Sequence, residues 1–141
     1  MAWLLDTNVL SELRRPRPNP LVVSFVANCP LDRIFVSTVT LAEIRFGIEV
    51  VADPIRRVEL TQWLTQRVRP MFDGRTLEID EDILLKWRLL VEEGRKIGHT
   101  FSQPDLMIAA TALHHKLTVV TRDRSEYDKA SVPVLNPWNP Q

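Results

Sequence analysis

The sequence predicts a three-layer α/β domain built on a parallel sheet, and three observations point there. Short apolar runs rich in β-branched and aromatic residues alternate with longer stretches of helical periodicity, the pattern of repeated strand-helix-strand units. Helix-opening signals recur between those runs: Asn19-Pro20 and Asp53-Pro54 each set a capping side chain before a proline in the first turn. At 141 residues, with 45% hydrophobic and 26% charged, the chain has the size and balance of one globular domain, so residues 1–141 are expected to fold as a single unit.

Residues 2–5 form the first strand candidate, stopped by Asp6-Thr7-Asn8, and a short helix is expected over residues 9–13. Arg14-Arg15-Pro16-Arg17-Pro18 reads as a basic loop, because proline blocks helix continuation and restricts the residue before it. A helix over residues 21–28 ends at Pro30, residues 33–37 form the second strand, and a helix follows from Thr38 or Thr40 to Val51. The helix opened by Asp53-Pro54 is expected to turn Ile55, Val58, Trp63, Leu64 and Val68 to the core and to close at Arg69-Pro70 and Asp73-Gly74. Residues 76–79 are a weaker strand. After Asp80, Ile83, Trp87, Leu90 and Val91 recur at i, i+4, i+7 and i+8, one amphipathic helical face, with Gly94 and Gly98 marking the end. A helix over residues 102–116, a fourth strand at 117–121 and a fifth at 132–135 complete a sheet of about five strands.

Composition excludes several function classes. With 18 basic and 18 acidic residues the formal net charge is zero, so the chain does not bind nucleic acid by bulk charge. Fourteen of the 18 basic residues are arginine, whose planar fork suits phosphate; a GC-rich coding sequence gives the same bias. The single cysteine, Cys29, leaves no internal disulfide and no multi-cysteine zinc site, and its apolar setting points to a buried, inert thiol. His114 and His115 are neighbours on a helix, about 100° apart, and read as helix-end charges rather than ligands of one metal. No apolar run approaches the roughly 18 residues of a membrane span and the first residues lack a signal-peptide pattern, so a cytoplasmic protein is expected.

Four acids carry the chemical reading. Asp6, Glu43, Asp105 and Asp123 each follow a strand candidate or open a helix. In an open parallel sheet the carboxyl ends of the strands share one edge, and ligands bind there. Carboxylates gathered without a basic partner repel one another, and a hard divalent cation relieves that repulsion. Mg²⁺ held by oxygen ligands can activate water and neutralise charge on a leaving oxygen, so hydrolysis of phosphodiesters is the expected chemistry. Asp6 and Asp105 are the expected direct ligands, with Glu43 and Asp123 holding waters of the ion's shell, the nucleophile or a second ion. Thr7, Asn8 and Thr121 lie beside these acids and can orient them.

Each acid also has a plainer role. Asp6 can cap a helix, Thr40-Leu41-Ala42-Glu43 has capping-box spacing, Asp105 fits a first helical turn, and Asp123 fits a turn. A cap contributes only about 1 kcal/mol and any of Ser, Thr, Asp or Asn supplies one. Glu78, Asp80, Glu81 and Asp82 are denser in sequence, but they surround one helix start and read as capping and a solvated surface. Phosphate-binding glycine loops of the G-x-x-x-x-G-K-[ST] and G-x-G-x-x-G types are missing, as is the nucleophile elbow G-x-S-x-G.

Four segments together resemble the signatures of PIN-domain ribonucleases: Leu4-Leu5-Asp6-Thr7-Asn8-Val9-Leu10, Leu41-Ala42-Glu43-Ile44-Arg45-Phe46-Gly47-Ile48, Asp105-Leu106-Met107-Ile108-Ala109-Ala110-Thr111-Ala112 and Val120-Thr121-Arg122-Asp123. Leu135-Asn136-Pro137-Trp138 is similar to the end of the FitB-like VapC subgroup. The resemblance implies a three-layer α/β/α PIN-like fold and a VapC-type toxin of a type II toxin-antitoxin system: a Mg²⁺-dependent endoribonuclease, with Mn²⁺ able to substitute, that cuts RNA. It further implies a cognate VapB/FitA-like antitoxin as inhibitor and a homodimer that can pair again in the antitoxin complex. Carried over by position, the acidic site is Asp6, Glu43, Asp105 and Asp123. In many relatives the fourth motif reads T-R-N-x-x-D-F, whereas this chain has Thr121-Arg122-Asp123-Arg124-Ser125-Glu126-Tyr127, so Glu126 competes with Asp123 for the fourth place; Asp123, nearest the strand end, is preferred. The alternative function is a non-catalytic PIN-like binding protein acting only within an antitoxin complex.

Overall fold

Strand pairing is parallel throughout. The computed structural model, which describes residues 1–141, contains one sheet of β1 (Trp3–Leu5), β2 (Ile34–Ser37), β3 (Thr76–Leu77), β4 (Thr118–Val120) and β5 (Val134–Leu135) in the order β3-β2-β1-β4-β5. The chain builds outward from β1 to β2 and β3, then returns to the other side of β1 for β4 and β5. The crevice beyond the carboxyl ends of β1 and β4 is therefore the topological switch point, where open α/β sheets bind ligands. Leu5 lies opposite Val120, and the Asp6 N–H donates to the Val120 carbonyl at 3.0 Å, so residues 6 and 121 leave the sheet side by side.

The connecting helices are α1 (Thr7–Leu13), α2 (Pro20–Asn28), α3 (Thr38–Glu49), α4 (Pro54–Trp63), α5 (Arg69–Met71), α6 (Glu81–Lys96), α7 (Gln103–His115) and α8 (Ser125–Lys129). Alternation along each strand divides the core. Leu4 and Val119 point to one face and pack with Ile83 and Leu90 of α6 and with Leu106 and Ile108 of α7. Leu5 and Val120 point to the other, against Val9, Val22, Ile44 and Leu60 from α1 to α4. Covered on both faces, the central strands read as unbroken apolar runs, and each fully buried leucine of β1 contributes about 1.5–3 kcal/mol. The three layers expected from the sequence are thus present.

Several local expectations need correction. Helix α3 begins at Thr38, with the Ser37 hydroxyl accepting from the Val39 N–H at 3.0 Å, so Thr40 and Glu43 form no capping box. Thr40 is instead fully buried, its hydroxyl without a partner. Ile55 and Val58 are 71% and 57% exposed, because the stripe of α4 that packs is Leu60, continued by Leu64 and Val68. Five residues at about 100° each put Ile55 about 140° from that stripe. The helix does not close at Arg69-Pro70. It widens into a π-helical stretch over Leu64–Val68, in which the Arg69 N–H reaches the Leu64 carbonyl, and the wider turn admits Pro70 into the single turn of α5. Gly94 lies inside α6 rather than at its end. His114 and His115 lie in the last turn of α7, as expected, with burial and the neighbouring His114 lowering His115 from its ordinary range. Helix α8 and the 3₁₀ turn Leu31–Arg33 carry no periodic signal and were not expected.

Candidate active site at the sheet edge

Asp6 ends β1 and caps α1, so its backbone is extended and its side chain turns back over the new helix. The carboxylate is 5% exposed and takes three hydrogen bonds. Its Oδ1 accepts from the Thr7 N–H at 2.7 Å, and its Oδ2 accepts from the Thr121 hydroxyl at 2.9 Å and the Tyr127 hydroxyl at 3.0 Å. The Thr121 hydroxyl in turn accepts from the Asn8 amide at 2.9 Å and the Asp123 N–H at 3.2 Å, while Asn8 Oδ1 accepts from the Arg122 N–H at 3.3 Å. A network therefore fastens the end of β1 to the end of β4 across the switch point.

Glu43 reaches the same edge from the middle of α3. Its Oε1 accepts from the Thr7 hydroxyl at 3.1 Å, which ties it to the residue next to Asp6. Asp105 stands in the first turn of α7, where the helix dipole favours a negative charge. Asp123 leaves β4 and its Oδ1 accepts from the Ser125 N–H at 3.3 Å and the Ser125 hydroxyl at 3.1 Å, the turn role considered from sequence. Glu126 is engaged differently: Oε1 pairs with His99 Nε2 at 2.9 Å and Oε2 accepts from the Ser102 N–H at 2.7 Å, just ahead of α7.

Residues 3–132 match the PIN domain family. The chain belongs to that family. This PIN domain is 38% identical over 136 residues to the toxin FitB of Neisseria gonorrhoeae, covering 96% of this chain and 98% of that protein. It is 34% identical over 137 residues to the VapC ribonuclease Y4jK of Sinorhizobium fredii, covering 97% and 98% of the two. Among solved structures it is similar to FitAcB from Neisseria gonorrhoeae, with a TM-score of 0.91 at 38% identity over 96% of this chain and 98% of that one. VapBC-5 from Mycobacterium tuberculosis, a member of the VapBC family of toxin-antitoxin systems, is similar with a TM-score of 0.70 at 30% identity, over 95% and 97% of the two chains.

Electrostatics mark the site in this PIN domain. Burial first, then Asp6, Glu43, Asp123 and Glu126 in that order, push the Asp105 carboxyl up to about 6. Burial also raises Asp6, against the opposing hydrogen bonds of Thr7, Thr121 and Tyr127, and Asp123 adds to the rise. Glu43 is raised by burial and by Asp6, with the Thr7 hydroxyl opposing. The ion pairs of the molecule involve Glu12, Glu59, Glu92, Glu126 and Asp128, so none of the four candidate acids has a cation against it. Such a set of hard oxygen donors fits Mg²⁺ or Mn²⁺. As placed, no three of the Asp, Glu, His and Cys side chains enclose an ion by themselves. Mg²⁺ asks for less, since it keeps several waters and uses one or two carboxylates.

Sequence reasoning missed two contributors. Tyr127 was seen only as the last letter of the fourth motif, and its place is a buried hydrogen bond to Asp6. His99 was not singled out as anything. A Schellman ending of α6, with Gly98 at φ +70° and the His99 N–H on the Gly94 carbonyl at 2.8 Å, aims it at Glu126. The one legible signal was Gly98 after the last helical turn, which marks where the chain reverses. Of the arginines in the basic loop, Arg14 lies over the Trp63 ring at 6.0 Å and Arg15 pairs with Glu12 at 3.7 Å. No helix is long and apolar enough to cross a membrane.

Proposed function

We propose that this PIN domain is the toxin of a type II toxin-antitoxin pair, a Mg²⁺-dependent endoribonuclease kept inactive by a cognate antitoxin of the VapB/FitA kind. The observation that carries the reading is the gathering of Asp6, Glu43, Asp105 and Asp123 at one sheet edge, mutually repelling and without a basic partner. Likeness to a named toxin and a named ribonuclease over almost the whole chain supports it. Residues 1–141 act as one unit, working on RNA in the cytoplasm and pairing as a homodimer.

Asp6 and Asp105 are the residues that would hold the cation. Bound there, the ion supplies positive charge against the oxyanion that develops as a phosphodiester breaks and makes water a better nucleophile. The remaining roles belong to side chains. Thr7 and Thr121 keep the acids oriented by donating to Glu43 and Asp6. Asn8 holds the β4 end in place by bonding both Thr121 and Arg122. Asp123 serves as the fourth acid: its Oδ1 is engaged by Ser125 and its Oδ2 is open, and Asp6 feels its charge. Glu126 acts as a brace for α7, with both of its oxygens engaged.

The test uses purified, antitoxin-free protein with structured RNA. Cleavage is expected with Mg²⁺ or Mn²⁺ and none with a chelator. Asp6→Asn and Asp105→Asn should each lower the rate by at least ~100-fold, at or beyond the upper limit usual for outer-shell partners of a metal site. RNA left intact by the wild-type protein across several substrates would instead favour a binding protein without turnover.

A further inference from the structure

Tyr127 is 1% exposed and heads the fully buried side chains by size, yet its hydroxyl is not orphaned: it donates to Asp6 Oδ2 at 3.0 Å. A carboxylate oxygen offers two lone-pair directions. On Oδ2 both are taken, by Tyr127 and by the Thr121 hydroxyl at 2.9 Å. On Oδ1 one is taken, by the Thr7 N–H at 2.7 Å, and one is open. We infer that Tyr127 is a positioning residue that, together with Thr121, occupies Asp6 Oδ2 and so makes Oδ1 the single atom Asp6 presents to a divalent cation. This rests on the reading of Asp6 as a ligand.

The physical reason is orientation. A carboxylate held on one oxygen by two donors from different segments, the residue that follows β4 and a residue of α8, cannot rotate about its last bond without breaking both. With Thr121 alone, Oδ2 is left with an open lone pair in a buried place, and the two oxygens become closer to equivalent. The Asp6 carboxylate then spends part of its time in orientations that bind a cation less well. Partners of this kind typically alter metal affinity by roughly 10–100-fold.

The chain has one tyrosine, so labelling tyrosine labels this position alone. Mn²⁺ binding is measured by calorimetry on wild type, Asp6→Asn and Tyr127→Phe, with circular dichroism confirming that each is folded. Phenylalanine keeps the ring and removes only the hydroxyl. The expected result is Mn²⁺ affinity lost in Asp6→Asn and weakened about 10-fold or more in Tyr127→Phe. In parallel, 3-fluorotyrosine is incorporated and its ¹⁹F resonance followed during Mg²⁺ titration, a readout that stands even where Tyr127→Phe does not fold. The resonance should shift with Mg²⁺ in wild type and stay still in Asp6→Asn, which couples the tyrosine to cation binding at Asp6, while the affinity of Tyr127→Phe separates a positioning role from a structural one. Wild-type Mn²⁺ affinity in Tyr127→Phe, or an unmoved resonance at saturating Mg²⁺, overturns the positioning role while leaving Asp6 as a ligand. Wild-type affinity in Asp6→Asn overturns the ligand reading itself, and the positioning role with it.

Discussion

Asp105, proposed as a cation ligand, lies where burial and neighbouring carboxylates work against stability. Its carboxyl, pushed up to about 6 from 3.8 by burial and by surrounding carboxylates, holds more protons in the folded chain than in the unfolded one between those values. Stability of the metal-free protein therefore falls as pH rises through that window, and the penalty is complete above about pH 6. Because the site is half open to water, screening reduces the cost to about 1 kcal/mol. Asp105→Asn should thus stabilise the metal-free protein by about that amount at neutral pH, with the gain gone near pH 4, as urea unfolding in a chelator would measure. With Asp105 as the proposed ligand, cation affinity should fall as pH drops below about 6, because the proton and the metal would compete for one carboxylate.

Among the elements, α8 explains why part of the site could not be read in advance. At five residues it is too short to show a periodicity, and its one buried residue, Tyr127, packs in the core. Its two neighbours Glu126 and Tyr127 reach different places, the start of α7 and the end of β1. Asp6, Asp105 and Asp123 were legible from strand and helix boundaries. Glu43 was singled out by its place after the second strand; it lies in the middle of α3, and the rival reading as a capping box is the one the structure removes. Gly94 of α6 yields a prediction on which local and tertiary arguments disagree. Helix propensity alone says that Gly94→Ala stabilises by about 1 kcal/mol. A Cβ there would lie 2.8 Å from the His99 carbonyl oxygen and 2.9 Å from the Phe101 ring, so the substitution should destabilise by about 1–3 kcal/mol and loosen the His99 contact with Glu126. Thermal unfolding decides between them by sign.

For the whole molecule, the sheet gathers like charges at one edge with no side-chain cation paired against them, and the proposed metal would neutralise them. Cation binding should then stabilise the entire fold, not only the site. At a hundredfold excess over its dissociation constant, Mn²⁺ should add about 2.7 kcal/mol, roughly 8 °C in Tm for a chain of this size. Asp6→Asn should show no such rise, and differential scanning fluorimetry with and without Mn²⁺ measures both.

Local chemistry dictated the alternation of strand and helix, the helix starts at Asn19, Asp53 and Asp80, and the positions of three of the four acids, because caps and apolar periods depend on residues close in the chain. Which face of α4 packs, how the chain passes through Pro70, and which donors surround Asp6 depend on partners far away in sequence. Thr121 and Tyr127 lie 115 and 121 residues from Asp6, and only the parallel register of β1 with β4 sets them beside it.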